Sequence, residues 1–242
     1  MRCEQNGFEK KLLELTEPDL AWGALIASGI NDQKGLSVYQ ARIDMLCKEI
    51  EADTPPGDDL QKARGLFDWL WTKKPTRYET QGNFRLMTVI DAQLSLSEEK
   101  VGNCLGLTIL YNVVAQSFGL KTGAIYLDDA FGIGPHVFSV LVIDNATIDV
   151  ENIVPHGFDF REHLNNPQRK LWGNTGLIAD IYHSIGNQLM EANNLEEAVQ
   201  HYSKAIRLNP NYAKAYLNRG IALSLLGRED EAEQDFGFGA TR

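Results

Sequence analysis

Apolar residues recur at helical spacing through much of the first hundred residues. Two such series are clear: Tyr39, Ile43, Leu46 and Ile50, and then Leu60, Ala63, Phe67 and Leu70. The segment 53–59, DTPPGDD, lies between them and contains the proline and glycine residues that interrupt a helix. The pattern therefore predicts two amphipathic helices before residue 75.

A short and very apolar stretch covers residues 20–30, LAWGALIASGI. Glu14, Glu17 and Asp19 precede it, whereas a signal peptide carries positive charge at that place. The stretch is also shorter than the ~20 residues that cross a bilayer. It therefore predicts a helix of the protein core.

Residues 101–120, VGNCLGLTILYNVVAQSFGL, are almost continuously apolar and predict a buried helix over 104–118. Cys104 stands in the first turn of this helix, directly after a Gly-Asn pair. The first turn has unpaired backbone N–H groups and the positive end of the helix dipole, and both favour a thiolate. Cys104 is therefore a candidate nucleophile.

The hydrophobic period changes from 3.6 to 2 after this helix. Three short runs rich in valine and isoleucine predict strands at 123–128, 136–143 and 146–150. Asp144 and Asn145 lie between the last two runs, and both residue types suit a two-residue hairpin turn. Helices followed by consecutive antiparallel strands predict an α+β domain.

A repeat with a 34-residue step begins near residue 173. The matched pairs are Tyr182 and Tyr216, Gly186 and Gly220, Leu189 and Leu223, Ala198 and Ala232, and Tyr202 and Phe236. This pattern resembles the tetratricopeptide repeat over residues 179–236, which implies an all-α module of two helix-turn-helix units. We therefore divide the chain into a domain at 1–172 and a repeat module at 173–242.

The resemblance implies that the repeat module binds a protein or peptide partner. Asn187 and Asn218 fall on the side of the first helices that lines the groove in such proteins, but the absence of a third repeat favours plain solvent-facing residues. Arrays of this kind usually need about three units to bury a continuous face. We therefore expect these two units to lean on the first domain, to self-associate, or to belong to a truncated array.

The composition of the chain argues against two classes of partner and favours one kind of cellular compartment. The 242 residues are 43% hydrophobic and 23% charged, and the formal net charge of −10 argues against a nucleic-acid partner. No apolar run reaches the length of a membrane span, so we expect no membrane partner. Cys3, Cys47 and Cys104 are too few and too widely spaced for a disulfide framework, which favours a reducing compartment such as the cytoplasm.

Cys104 has candidate partners further along the chain. His136 begins a predicted strand, and Asp149 lies on the next strand. A thiol nucleophile needs an imidazole that takes and returns its proton, and a carboxylate that orients the imidazole. We therefore take Cys104, His136 and Asp149 as the candidate catalytic residues.

The segments VGNCLGLTILYNVVAQSFGL, PHVFSVLVIDN and TIDVEN resemble the core motifs of the transglutaminase-like superfamily. The resemblance covers roughly residues 85–155 and implies a papain-like Cys-His-Asp arrangement at Cys104, His136 and Asp149. A helical layer before this core and tetratricopeptide repeats behind it resemble a bacterial subgroup of the SirB type. Many members of that subgroup lack the cysteine that this chain has.

The expected strand pairing does not decide which residue orients the His136 ring. With a two-residue turn, His136 would lie opposite Ile153, so Asp149 would be four residues away along the strand, or about 13 Å. Glu151 would lie nearer, and a bulge or longer turn could bring in Asp149 or Asn152 instead. The family motif favours Asp149.

Two hypotheses of different classes follow. In the first, the chain is an enzyme for thiol-dependent acyl transfer or for amide or peptide hydrolysis, with a partner-binding repeat module. In the second, the core is an idle scaffold, and the chain is an interaction or regulatory protein that binds a partner peptide. The histidines show no metal-ligand spacing and no cofactor motif is evident, so we expect neither a metal nor a cofactor.

Overall fold

The computed structural model describes residues 7–130, 132 and 134–240. The first part of the chain forms five helices, which are α1 (Gly7–Leu12), α2 (Leu20–Ala27), α3 (Gln33–Asp53), α4 (Asp59–Lys73) and α5 (Leu86–Leu94). Both predicted amphipathic helices are present as α3 and α4, and the apolar stretch at 20–30 contains α2. Cys3 lies outside the described residues. Within the described part, no helix combines the length and apolar character that a membrane crossing requires.

The start of α4 follows directly from its sequence. The Asp58 carboxylate accepts the Gln61 backbone N–H at 2.8 Å, and the Gln61 side chain accepts the Asp58 backbone N–H at 2.9 Å. This reciprocal capping satisfies two backbone donors that the first helical turn would otherwise leave unpaired. Pro55 and Pro56 just before it keep the chain from continuing α3.

The helix α6 (Cys104–Ser117) lies at the centre of the fold, and residues 105–115 are all buried. The Tyr111 hydroxyl donates to the Ala63 carbonyl of α4 at 3.0 Å. On another side, the Thr108 hydroxyl and the Asn112 amide donate to carbonyls of the sheet. The apolar run therefore makes a helix that is packed all round and tied by its few polar groups to both neighbouring layers.

A four-stranded antiparallel sheet follows α6, with strands β1 (Lys121–Leu127), β2 (His136–Ile143), β3 (Ala146–Val150) and β4 (Lys170–Trp172) in the order β3-β2-β1-β4. The hairpin between β2 and β3 has the predicted two-residue turn. Asp144 and Asn145 have φ angles of 50° and 65°, as a type I′ turn requires. The turn pairs Ile143 with Ala146 and thereby fixes the register of the whole hairpin.

The C-terminal part of the chain is helical: α7 (Asn174–Glu191), α8 (Leu195–Leu208), α9 (Ala213–Leu225) and α10 (Glu229–Ala240). The two matched glycines lie where the two helices of each pair approach closely. A Cβ atom on Gly186 would lie 2.5 Å from the Tyr202 ring, and one on Gly220 would lie 2.7 Å from the Phe236 ring. The 34-residue pattern therefore marks two helix pairs that pack in the same way.

The helix pairs lean on the first part of the chain. The Trp172 ring of β4 stacks on Tyr126 at a centroid distance of 4.0 Å and meets the Tyr212 ring edge-on at 5.0 Å. On α1, the Glu9 carboxylate accepts the Tyr182 hydroxyl at 3.0 Å and binds the Lys204 ammonium at 2.8 Å. The main apolar cluster runs without interruption from the N-terminal helices into α7 and α8. Of the three arrangements expected from the sequence, this is the first.

Candidate active site

Cys104 is the first residue of α6 and is half-buried. The Asn103 side chain accepts the Gly106 backbone N–H at 3.0 Å and so caps the helix directly before the thiol. A Cβ atom on Gly106 would lie 2.4 Å from the Asn83 carbonyl oxygen, so only glycine lets that loop pack against the first turn. The sequence Asn-Cys-Leu-Gly therefore forms a closely packed helix start, with the thiol in the first turn of the helix.

His136 is the first residue of β2, and its side chain is 9% exposed. Its Nε2 atom lies 2.7 Å from Oε2 of Glu151, and the Cys104 thiol lies close enough to the ring to raise the pKa of the imidazole. Since Nε2 is engaged by the carboxylate, Nδ1 is the ring nitrogen left for the thiol. The structure thus brings Cys104 and His136 together.

The charge of His136 reflects these neighbours. Burial favours the neutral imidazole, but the neighbouring Cys104 sulfur and the hydrogen-bonded, negatively charged Glu151 carboxylate outweigh it and raise the pKa of His136 to about 10. The imidazole is therefore held in its protonated form between a thiol and a carboxylate.

Glu151 lies one residue beyond β3, and its side chain is 3% exposed. A tight loop after the strand fixes its position, because the Glu151 backbone N–H donates to the Gly157 carbonyl at 2.8 Å. A Cβ atom on Gly157 would lie only 1.9 Å from the Glu151 carbonyl oxygen. The second carboxylate oxygen of Glu151 accepts the Ile153 backbone N–H at 3.3 Å.

Asp149 has a different neighbour. Its two carboxylate oxygens bind the Arg169 guanidinium at 2.7 and 2.9 Å, and its side chain is 1% exposed. In the ladder Asp149 pairs with Val140, four residues along the strand from His136. The expected contact between Asp149 and His136 is therefore corrected: among the described hydrogen bonds, the carboxylate on the His136 ring is that of Glu151.

Asn152, the remaining alternative, points to the opposite face of the hairpin. Its amide donates to the Ser139 hydroxyl at 2.8 Å and to the Val150 carbonyl at 3.2 Å. It also reaches the Thr108 hydroxyl of α6 at 3.4 Å. Asn152 therefore ties the hairpin to α6 and has no described contact with His136.

His163 was not singled out by sequence reasoning, yet it lies beside this group. Its Nε2 atom is 3.9 Å from the Glu151 Oε2 atom that contacts His136. Its ring stacks on Phe138 at a centroid distance of 5.2 Å and lies 6.0 Å from the His136 ring. Burial lowers the pKa of His163. The irregular loop between Glu151 and His163 carries no pattern that would have revealed this contact.

The repeat module holds a second polar cluster. Asn187 and Asn218 are half-buried and bonded to each other at 2.9 Å. The same Asn218 amide lies 3.0 Å from His183 Nε2, and His183 Nδ1 lies 3.0 Å from the Tyr212 hydroxyl. The two asparagines are therefore neither plain solvent-facing residues nor isolated, since they belong to a network between α7 and α9.

Comparison with known proteins identifies the helical module. The TPR repeat family model matches residues 186–227. An uncharacterized protein of Methanocaldococcus jannaschii, MJ0572, is 38% identical over 58 residues, which are 24% of this chain and 67% of that protein. Hsp70-Hsp90 organizing protein 1 of Glycine max is 40% identical over 58 residues, and the chain spans only 10% of its length. No solved structure matches the chain.

The fold is thus a mixed one, with helices around a small antiparallel sheet and a helical repeat module behind them. The repeat module belongs to the tetratricopeptide repeat family. Modules of this kind stack helix pairs into surfaces that bind other proteins. A role in protein–protein interaction is therefore supported for this part of the chain.

Proposed function

We propose that Cys104, His136 and Glu151 form a transglutaminase-like thiol site that transfers acyl groups from amide or peptide substrates. One observation carries this proposal: a single buried imidazole lies beside a thiol at a helix start and is bonded to a carboxylate. This is the arrangement that a thiol nucleophile needs. The resemblance of the Cys104 and His136 segments to the superfamily motifs supports the same reading, with Glu151 in the role first given to Asp149.

The reaction follows from the roles of these groups. The Cys104 sulfur attacks the substrate carbonyl carbon while His136 holds the proton of the thiol. The carbon–nitrogen bond then breaks, and His136 passes that proton to the departing amine. An acyl thioester remains on Cys104. Attack by water, with His136 as base, releases a carboxylic acid and restores the thiol.

Two features support particular steps. The backbone N–H of Cys104, at the positive end of α6, is the natural donor to the developing oxyanion. The Glu151 carboxylate fixes the ring orientation of His136 and stabilises its charged form. An amine could replace water in the second step, but water needs no dedicated acceptor site, so we favour hydrolysis.

Acyl-enzyme trapping tests the proposal. The full chain is incubated with blocked peptide p-nitroanilides in the presence of a chelator, and its mass is followed together with p-nitroaniline release. We expect an acyl adduct on Cys104 and release that is lost in Cys104→Ser but kept in Cys47→Ser. The proposal would be contradicted if no acyl adduct forms on Cys104, or if Cys104→Ser still releases p-nitroaniline.

A second candidate function is partner binding without catalysis, and the match of residues 186–227 to the TPR repeat family favours it. The core would then be a scaffold, and the repeat module would bind a protein or a peptide segment. The module could also bind a second copy of the chain, since Leu217 and Leu225 of α9 are exposed.

Affinity capture with three baits separates the two functions. Wild type, Cys104→Ala and Asn187→Ala/Asn218→Ala are compared, and any retained protein is then purified and tested by direct titration. A partner kept by Cys104→Ala and lost by the double variant supports binding through the repeats. Analytical ultracentrifugation of the same three proteins reports self-association.

We place this chemistry in a reducing compartment such as the cytoplasm. Cys47 and Cys104 are both free thiols in the described part of the chain. A nucleophilic thiol is active only while it stays reduced.

A further inference from the structure

His136, Glu151 and His163 form a compact and buried group beside the thiol. Each offers one ligand atom, and these atoms all lie within 4.8 Å of one another. The three residues are 8%, 2% and 3% exposed. They come from the start of β2, the end of the β2–β3 hairpin and the loop before β4, so only the fold brings them together.

We propose that His136, Glu151 and His163 bind one divalent zinc-class ion. Two imidazoles and one carboxylate are the ligand set of zinc sites that keep a fourth position open. The same set suits neighbouring ions of the series, including Co²⁺, which is a useful spectroscopic substitute for zinc.

The spacing of the ligand atoms suits such an ion. Ligands of a tetrahedral zinc ion at about 2.05 Å are about 3.4 Å apart. The Glu151 Oε2 atom lies 2.7 Å from His136 Nε2 and 3.9 Å from His163 Nε2, values on either side of that spacing. All three ligand atoms lie within 4.8 Å of one another, so small movements of these side chains bring them to the tetrahedral spacing.

The surroundings hold the ligands in place. The Phe138 ring is fully buried, stacks on the His163 ring and has its centroid 5.9 Å from that of the His136 ring. Both imidazoles therefore pack against the same aromatic side chain. The other Glu151 oxygen is bonded to the Ile153 backbone N–H. Contacts of this kind fix the orientation of metal ligands and tune their affinity.

The ion would change what the thiol site can do. An ion bound to His136 Nε2 and Glu151 Oε2 replaces the hydrogen bond between these two atoms. The orientation of His136 by Glu151 and the bound ion therefore exclude each other. This consequence, unlike the site itself, rests on the proposed thiol chemistry.

Zinc titration of the full chain tests the site. Chain freed of metal by a chelator competes for Zn²⁺ with a chromophoric zinc indicator. We expect one ion bound by the wild type and by His156→Gln, a matched control at an exposed histidine. His163→Gln should bind about 100-fold more weakly or not at all, because it loses one ligand. Cys104→Ala should keep the affinity within about threefold.

Several outcomes would overturn the site: no uptake by the wild type, equal affinity of His163→Gln and His156→Gln, or loss of binding in Cys104→Ala. The circular dichroism spectrum of each variant is compared with that of the wild type to check that the variant folds. If His163→Gln does not fold, the visible absorption spectrum of the wild type loaded with Co²⁺ tests the site instead. Visible absorption of a four-coordinate ion without a thiolate charge-transfer band supports the site, and a thiolate band overturns it. Because acyl trapping is done with a chelator present, failure of the thiol chemistry is seen separately.

Discussion

His136 Nε2 and Glu151 Oε2 lie 2.7 Å apart, and both side chains are almost completely closed off from solvent. A contact this short between an imidazole and a carboxylate is a charge-assisted hydrogen bond. It sets the orientation of the ring whose other nitrogen is available to Cys104.

Glu151→Gln should slow the alkylation of Cys104 by iodoacetamide about tenfold. The amide keeps the shape of the side chain but loses a charge-assisted hydrogen bond worth ~1.5 kcal/mol, or roughly tenfold in rate. The rate constant is measured by site-resolved mass spectrometry with a chelator present. Asp149→Asn is the matched control, and a larger slowing in that variant than in Glu151→Gln would restore Asp149 as the partner.

Arg169→Met should destabilise the fold by about 2–4 kcal/mol, because it leaves the buried Asp149 carboxylate without its counter-ion. The free energy of unfolding in urea measures the loss. The double variant Asp149→Asn/Arg169→Met should recover part of it, since no buried charge remains. Arg161→Met, which breaks the exposed pair with Asp159, should change the stability by no more than about 0.5 kcal/mol. Equal losses in Arg169→Met and Arg161→Met would refute this assignment.

Gly157→Ala should displace Glu151 from His136. The new Cβ atom would overlap the Glu151 carbonyl oxygen, so the loop must move, at about 1–3 kcal/mol. We expect lower stability in urea and slower alkylation of Cys104 in the folded protein. Gly237→Ala on α10, where the added Cβ atom would meet nothing within 4 Å, should instead leave the alkylation rate unchanged and gain up to about 1 kcal/mol. Unchanged stability of Gly157→Ala would show that the loop is not packed as described.

The local parts of this fold could be predicted from the sequence. The helix that begins at Cys104 and the hairpin around Asp144 and Asn145 follow from apolar runs and turn chemistry, and the structure has both. The 34-residue repeat likewise predicts the helix pairs, because glycine positions record close helix contacts.

The third residue of the site shows where a motif and geometry disagree. The family motif favoured Asp149, whereas the pairing arithmetic of a two-residue turn already placed Glu151 nearer to His136. The structure has that register and gives the His136 contact to Glu151. His163 could not be predicted, because an irregular loop with no periodic pattern brings it to the site.

Alkaline pH should destabilise the protein through its buried tyrosines. Burial raises the pKa of Tyr111, Tyr182 and Tyr212 above the ordinary value of about 10. The fold therefore retains protons that the unfolded chain releases, so stability is complete below about pH 10 and falls as the pH rises above it. These tyrosines should ionise only as the chain unfolds, so the rise in phenolate absorbance should coincide with the loss of the circular dichroism signal of the fold. A gradual titration of every tyrosine in a chain that stays folded would argue against their burial.

Tyr212→Phe should cost about 1–3 kcal/mol of stability, since the hydroxyl donates to the buried Asp180 carboxylate at 2.6 Å and also contacts His183. Both partners would lose a hydrogen bond where the repeats meet the core. Tyr216→Phe on α9 is the matched control and should have a small effect. Urea unfolding compares the two, and equal stability would show that the Tyr212 network does not hold the module in place.

The central claim is that His136 activates the Cys104 thiol, and the ratio of alkylation rates at Cys104 and Cys47 tests it most directly. Cys47 is a half-buried thiol on α3 whose pKa is raised by burial, so it serves as an internal reference in the same folded chain. At neutral pH with a chelator present, Cys104 should react at least about tenfold faster than Cys47, and His136→Ala should remove most of that advantage. If the two cysteines react alike, or if the ratio is the same in His136→Ala, Cys104 is a packing residue and the thiol chemistry is wrong.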